Sequence, residues 1–281
     1  MKEKRPSFLR KVAYRIARLV YFSKHFSYLS YNLGFQGKLV INNISVNFDI
    51  KKKGEKKLKI LFLSDLHFGK IVNDKLIETL EDHLFAIDFD LLFLGGDYIF
   101  LEKKAFVNIK TLLKKIFCPL GKFAVLGNHD RWLLNNDLTS DFEECGVTLL
   151  VNKEVTLKHP YNFIKIFGID DLRYGNPEIK LSQKEEGEKR IFLCHSPEGL
   201  SLSKEKNFDF ALFGHTHGGQ IVFNQKKPFL PFKDKYSKKF PRGLFNDNEF
   251  DFPFYVSSGI GFVWLPVRFN CPSEIVLIEL Y

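Results

Sequence analysis

The chain has 281 residues, 45% of them hydrophobic, and its 42 Lys and Arg against 33 Asp and Glu give a formal charge of +9. That length and apolar share suit one large domain with a sizeable core and exclude an intrinsically disordered chain. No apolar run approaches the ~18 residues of a spanning helix, and Cys118, Cys145, Cys194 and Cys271 lie too far apart for a disulfide framework or a zinc ribbon.

Positive charge points to anionic partners such as phosphates, anionic lipid or nucleic acid. Residues 1–24 are basic, and Phe8 to Phe22 has helical periodicity. Leu9, Val12, Ala13, Ile16, Ala17, Leu19 and Val20 fall near one face, with Lys11, Tyr14, Arg15 and Arg18 opposite. An interfacial membrane helix has this pattern, and so does a helix packed on a domain with its basic side in water. Arg15 and Arg18 interrupt the run that a secretory signal needs. Residues 1–37 are therefore set apart as a basic N-terminal segment, a candidate membrane-surface anchor, and 38–281 as the main domain.

From Lys38 to Ile50, alternation predicts one or two outer strands, and Lys51 to Lys57, with Gly54, a charged hairpin turn. Ile60 to Leu63 then reads as a fully buried strand delivering Asp65 and His67. The pattern repeats. Asp74 to Leu84 is a helix capped by Asn73 or Asp74, and Leu91 to Leu94 a strand delivering Asp97. Lys103 to Phe117 is helical up to Pro119, and Phe123 to Leu126 is a strand delivering Asn128 and His129. Asn135 to Glu144 is a helix ended by Gly146, before a strand at Val147 to Val151. Further strands are predicted at Val155–Leu157, Phe163–Ile169, Ile191–Cys194, Phe210–Phe213, Gln220–Phe223, Phe254–Ser257 and Ile275–Leu280. A Pro- and Phe-rich loop from Lys226 to Arg242 carries many lysines. The sum is an α/β fold, two packed sheets with helices outside.

Five clusters of donor residues each follow an apolar run: Asp65-Leu66-His67, Gly95-Gly96-Asp97, Gly127-Asn128-His129-Asp130, Cys194-His195 and Gly214-His215-Thr216-His217. Any one of them has an ordinary explanation, since Asp65 could cap a helix and Gly-Asn-His makes a good turn. Five in this order point to a dinuclear metal site. Carboxylate, amide and imidazole donors without a thiolate suit Mn, Fe, Zn or Mg, and phosphate chemistry uses two such cations about 3.5–4 Å apart. Asp97, alone after two glycines, is the natural bridge.

These motifs resemble the five motifs of the calcineurin-like metallophosphoesterases, whose fold is a sandwich of two mixed β-sheets flanked by helices. The resemblance spans Asp65 to His217 and implies a metal-dependent hydrolase of phosphoric esters or diphosphates. It implies that Asp65, His67 and His217 bind one divalent ion, that Asn128, His195 and His215 bind a second, and that Asp97 bridges both, with Mn²⁺ the first choice of metal. It casts His129 as a general acid or phosphate stabiliser, with Asp130 orienting it.

His217-Gly218-Gly219-Gln220, Ser258-Gly259-Ile260-Gly261 and the stretch Leu265 to Ile275 resemble a bacterial phosphodiesterase branch. That branch includes the chlamydial-type UDP-2,3-diacylglucosamine pyrophosphatase of lipid A synthesis. Where it usually reads Pro-Pro-Glu, this chain has Pro272-Ser273-Glu274. The tail match is specific to the branch and not to a substrate. The basic amphipathic residues 1–24 and the Lys- and Phe-rich loop from Lys226 to Arg242 lead to the expectation of a nucleotide-diphosphate lipid met at the inner face of the cytoplasmic membrane. Arg268 either contacts phosphate or pairs with Glu274. A soluble phosphodiester substrate is the alternative, and a non-catalytic scaffold of the same fold a further one. No nucleic acid partner is expected, because no aromatic stacking platform can be placed.

Overall fold

A computed structural model describes residues 8–21, 24–50, 55–133, 138–223, 227–228 and 234–281. Lys226 and Lys233 of the basic loop, the start of the helix expected from Asn135, and residues 51–54 of the expected hairpin turn lie outside the described residues. In chain order come α1 (Phe8–Val20), α2 (His25–Asn32), β1 (Leu39–Val46), β2 (Leu58–Leu63), α3 (Asp74–Ala86), β3 (Leu91–Leu94), α4 (Phe106–Lys115) and β4 (Lys122–Ala124). Next are α5 (Asn128–Leu133), α6 (Thr139–Glu143), β5 (Val147–Leu149), β6 (Lys153–Thr156), β7 (Ile164–Gly168), β8 (Lys189–Leu193), α7 (Leu200–Ser203) and β9 (Phe210–Phe213). The chain closes with β10 (Val222–Phe223), β11 (Lys227–Pro228), α8 (Lys235–Lys239), β12 (Gly243–Phe245), β13 (Phe254–Val256) and β14 (Ser273–Leu280).

Two six-stranded sheets result, ordered β1-β14-β2-β3-β4-β5 and β12-β13-β9-β8-β7-β6. Both are mixed. In the first, β2 to β5 run parallel while β14 lies antiparallel to β2. In the second, β7, β8, β9 and β13 are parallel, with β6 and β12 antiparallel at the edges. The inner faces meet in a core where Ile60, Phe62, Phe93 and Val125 of the first sheet pack with Ile166, Ile191, Phe210 and Leu212 of the second. The outer face of the first sheet is covered by Leu80 and Leu84 of α3 and by Ile109 and Leu112 of α4.

The expected hairpin between β1 and β2 does not form, because β14 pairs between them. Burial gives the reason. β1 alternates between partly covered and exposed positions, as an edge strand does, whereas β14 is buried almost throughout and needs a neighbour on each side. The helix expected from Asp74 is capped by the Asn73 side chain, which accepts from the Lys75 N–H. The stretch expected to be helical from Lys103 begins with a 3₁₀ turn at Lys103–Ala105, and the strand expected at Gln220–Phe223 is the two-residue β10.

Helix α1 docks differently from its amphipathic pattern. Tyr14, Ala17 and Tyr21 are buried with Ile71, Val72, Leu76, Phe100 and Phe262, while Ile16, Leu19 and Val20 stay exposed. Aromatic rings cover more area than aliphatic chains, so the side carrying Tyr14 wins the groove although Arg15 and Arg18 flank it. Arg18 reaches around to the Leu101 carbonyl at 2.9 Å.

Two stability measurements follow. Phe93 is fully buried between the sheets; Phe93→Ala should cost about 3–5 kcal/mol, read as a lower denaturant midpoint at constant m-value. Deleting residues 1–24 exposes the groove that Tyr14 and Tyr21 fill and should cost on the order of 3 kcal/mol. An unchanged thermal midpoint would instead make α1 a separable appendage.

Candidate metal centre

Each donor stands just past the C-terminal end of a parallel strand, where open α/β sheets gather ligands. β2 leads to Asp65 and His67, β3 to Asp97, β4 to Asn128, β8 to His195, and β9 to His215 and His217. Five of these residues leave their strands in the left-handed region: Asp65 (φ 53°), His67 (46°), Asp97 (55°), His215 (70°) and His217 (49°). A non-glycine residue there is held at a cost of order 1–3 kcal/mol, and such costs concentrate at functional sites. Glycines make room. A Cβ on Gly214 would sit 1.9 Å from the Ser64 hydroxyl and 2.4 Å from an Asp65 oxygen.

The side chains converge in two overlapping groups. In one, His217 Nε2 lies 3.3 Å and His67 Nε2 3.9 Å from Asp65 Oδ1, and the two Nε2 atoms are 3.1 Å apart. In the other, His195 Nε2 lies 3.2 Å from Asp97 Oδ2 and 3.3 Å from His215 Nδ1. Asp97 Oδ2 is also 3.5 Å from His67 Nε2, so one carboxylate oxygen touches both groups. Asn128 is buried beside them, and its Oδ1 finds no hydrogen-bond donor among the described residues.

Divalent cations fit this donor set. Burial lowers His67 to a pKa of about 4 and holds His217 and His215 well below the usual imidazole range, so these rings present neutral lone pairs. Nitrogens facing each other at 3.1 Å, together with an unmatched amide oxygen, are what a shared cation would satisfy. Burial also disfavours charge on His195, but Asp97 and the other nearby carboxylates outweigh it and push its pKa up to about 10. Its Nδ1 lies 2.7 Å from the Gly95 carbonyl, which as acceptor turns Nε2 toward Asp97. For Asp97, burial favours the neutral acid, yet His195, His129 and His67 hold it ionised well below the carboxylate range. Positive charge is therefore favoured beside this carboxylate.

Two expected roles change. Asp130 does not orient His129. Its Oδ2 accepts from the N–H groups of Asp97 (2.7 Å) and Gly127 (2.9 Å), and its Oδ1 from that of Tyr98 (2.9 Å). It joins the loops after β3 and β4, and burial followed by the nearby Asp97 raises its pKa to about 8. Arg268 is buried, and its hydrogen bonds run to backbone carbonyls rather than to Glu274. Its guanidinium donates to the carbonyls of Ser258 (2.9 Å), Gly259 (3.2 Å), Gly261 (2.7 Å), Cys271 (3.4 Å) and Pro272 (3.3 Å). Glu274 accepts from the Ser258 N–H at 2.7 Å and from the Tyr255 hydroxyl at 3.1 Å. Between them Arg268 and Glu274 grip residues 258–261, whose Ile260 and Gly261 N–H groups donate to the Ser64 and Asp65 carbonyls at 3.1 and 2.7 Å.

His129 is buried, its Nε2 3.9 Å from Asp97 Oδ2 and its backbone N–H donating to Asp97 Oδ1 at 2.8 Å. The Tyr14 hydroxyl meets its Nδ1 at 2.7 Å. That contact spans 115 residues and left no local signal in the sequence. Asp171 was also missed. It is buried, accepts from the Tyr174 N–H at 2.6 Å, and burial raises its pKa to about 6.

The donor cluster on two mixed sheets is that of a metal-dependent phosphoester hydrolase, as comparison with known sequences shows. A family model for calcineurin-like phosphoesterases matches residues 58–219, and the chain belongs to that family. It is 31% identical over 231 residues to the phosphodiesterase YaeI of Escherichia coli K12, a match covering 79% of this chain and 82% of that protein. It is also 31% identical over 252 residues to the metallophosphoesterase YkoQ of Bacillus subtilis, covering 85% and 90%. With the metallophosphoesterase Cj0846 of Campylobacter jejuni it shares 32% identity over 234 residues, 80% of this chain and 60% of that protein.

Asp130→Asn keeps the shape but turns an amide toward an N–H, leaving a buried donor unsatisfied at a cost of about 1–3 kcal/mol. Because that donor belongs to the Asp97 or Gly127 loop, metal content by elemental analysis should fall together with stability. A drop in neither would remove Asp130 from the support of the site.

Proposed function

We propose that the chain is a dinuclear-metal phosphohydrolase acting on the diphosphate of an amphiphilic nucleotide, UDP-2,3-diacylglucosamine, which it splits into UMP and the lipid monophosphate. The observation that carries the metal reading is the Asp97 Oδ2 atom, which lies 3.5 Å from His67 Nε2 and 3.2 Å from His195 Nε2. Asp65, His67 and His217 would hold one ion, Asn128, His195 and His215 the other, and Asp97 both. Bound there, two ions such as Mn²⁺ polarise phosphate oxygens and make water a nucleophile near neutral pH.

The remaining chemistry belongs to the chain. His129, beside Asp97, is placed to hold a proton for the departing phosphate oxygen. Phe100 and Tyr14 line its ring, with centroids 5.6 and 5.7 Å away, and keep bulk water from that side. The Tyr14 hydroxyl lies 2.7 Å from Nδ1 and 3.2 Å from Nε2 of His129, so it fixes the ring beside Asp97. The complete donor set disfavours a non-catalytic scaffold.

The branch resemblance suggests the lipid substrate without selecting it, and the charge of +9 and the exposed apolar side chains of α1 support it. These features favour an enzyme at the inner face of the cytoplasmic membrane. None of the described helices is long and apolar enough to cross one.

Purified protein with Mn²⁺ and UDP-2,3-diacylglucosamine should release UMP and lipid monophosphate, read by mass spectrometry, and Asn128→Ala should lose both. Asp97→Ala should bring turnover to background and lower bound metal. Hydrolysis of an aryl phosphodiester without release of UMP would keep the metal site and reject the lipid. Full turnover and full metal content in Asp97→Ala would reject the shared ligand.

A further inference from the structure

Many of the exposed large apolar side chains lie on the N-terminal helices and on two later stretches bonded to them, although Phe85, Val107 and Phe117 are exposed elsewhere. Leu19 on α1 is 75% exposed, Leu29 on α2 54%, and Leu33, just after α2, 58%. Leu265 and Phe269 follow at 43% and 50%, and Phe223, on β10, at 55%. Three stretches far apart in sequence therefore contribute, and hydrogen bonds join them edge to edge. The Tyr21 hydroxyl donates to the Trp264 carbonyl, the Ser30 hydroxyl to the Pro266 carbonyl, and the Arg268 N–H to the Phe35 carbonyl at 2.6 Å. Phe269 then stacks on Phe223 with ring centroids 5.8 Å apart. Monomeric soluble proteins rarely leave so large an apolar surface uncovered.

We propose that this edge is a monotopic membrane-docking surface, with an anionic bilayer as its occupant. Charge decides between a bilayer and a protein partner. Exposed Lys11 and Arg15 stand on the same helix as Leu19, and exposed Lys38 lies just before β1, while Lys24, before α2, is paired with Asp74. Apolar side chains dipping into the acyl boundary below a band of Lys and Arg is the pattern of interfacial anchoring. The surface differs from a lone amphipathic helix in that the C-terminal stretch Leu265–Phe269 supplies part of it.

The surface adjoins the metal centre. The face of α1 opposite Leu19 carries Tyr14 onto His129, so one helix diameter, about 10 Å, separates bilayer from site. Two other segments make the same short journey. Residues 217–223 run from His217 to Phe223, and Gln220 is fixed by the Val263 N–H at 2.8 Å and the Leu265 carbonyl at 2.7 Å. Residues 259–265 run from Gly259, which packs on Asp65, to Leu265. A phosphoester at headgroup depth could enter the site while its acyl chains remain in the membrane. This rests on the hydrolase reading above only for the substrate; the docking itself does not depend on catalysis.

The test uses the full chain and sedimentation with vesicles of phosphatidylcholine containing phosphatidylglycerol, alongside a metal-supplemented assay with a soluble aryl phosphodiester and no vesicles. Binding should require phosphatidylglycerol and weaken with salt. Leu19→Glu and, independently, Phe269→Glu should each reduce vesicle binding roughly tenfold or more with the soluble assay unchanged. Phe85→Glu, which alters an exposed Phe on α3, should change neither. Vesicle binding unaffected by both Leu19→Glu and Phe269→Glu would overturn the proposal. So would absent vesicle binding with a dimer that both substitutions dissolve, which would assign the surface to a second copy. A silent diester assay with intact vesicle binding would reject the hydrolase and leave the docking surface standing.

Discussion

Burying several lone pairs and two carboxylates at one point is unfavourable unless positive charge lies among them. The ends of β2, β3, β4, β8 and β9 meet at such a point, with Asp97 at its centre. Its carboxylate accepts the His129 N–H, lies against His195 and His67, and is held ionised by their proximity. The local backbone is shaped to the same end. Left-handed conformations at Asp65, His67, Asp97, His215 and His217 turn short side chains inward over a few residues. Without favourable contacts in the centre these turns would have little to hold them.

Support for that arrangement comes from polar groups that do not themselves face the centre. Asp130 holds the loops after β3 and β4 through three backbone N–H groups, and Arg268 with Glu274 grips the chain that lies against Ser64 and Asp65. A buried guanidinium whose two terminal nitrogens donate to carbonyls and a buried carboxyl group that accepts from three N–H groups hold backbone in place. That explains why a conspicuous tail containing Arg268 and Glu274 need not mark a substrate pocket.

The donor residues were legible because each follows a short apolar run, and a run such as Leu91–Leu94 has few places to go except a buried parallel sheet. The order of the strands was not. Nothing local in Ser273–Leu280 says that it enters between β1 and β2, and the adjacency of β1 and β2 in sequence suggested a hairpin. Gly127-Asn128-His129 suits a turn, and the next helix was expected only from Asn135, yet the Arg131 N–H reaches back to the Gly127 carbonyl and α5 begins at Asn128. The N-terminal helix misled through its own composition. It has apolar residues on more than one side, so the periodicity identified a helix and could not say which side a distant groove lined by Phe100 and Phe262 would take.

The place of β14 has a consequence for how the protein is made. Of the described strands β1 is synthesised first, and it finds its sheet neighbour in the one made last, more than 220 positions later in the chain. The stretch from residue 58 to 219 holds every expected metal donor, but not the strand that joins β1 to the sheet or the Arg268 and Glu274 grip on the Asp65 turn. During synthesis the exposed edge of β2 and the apolar residues of β1 must wait for the final residues. The chain thus completes its first sheet and steadies its metal site in one late event, and until then an unpaired, apolar strand edge is what a chaperone would meet.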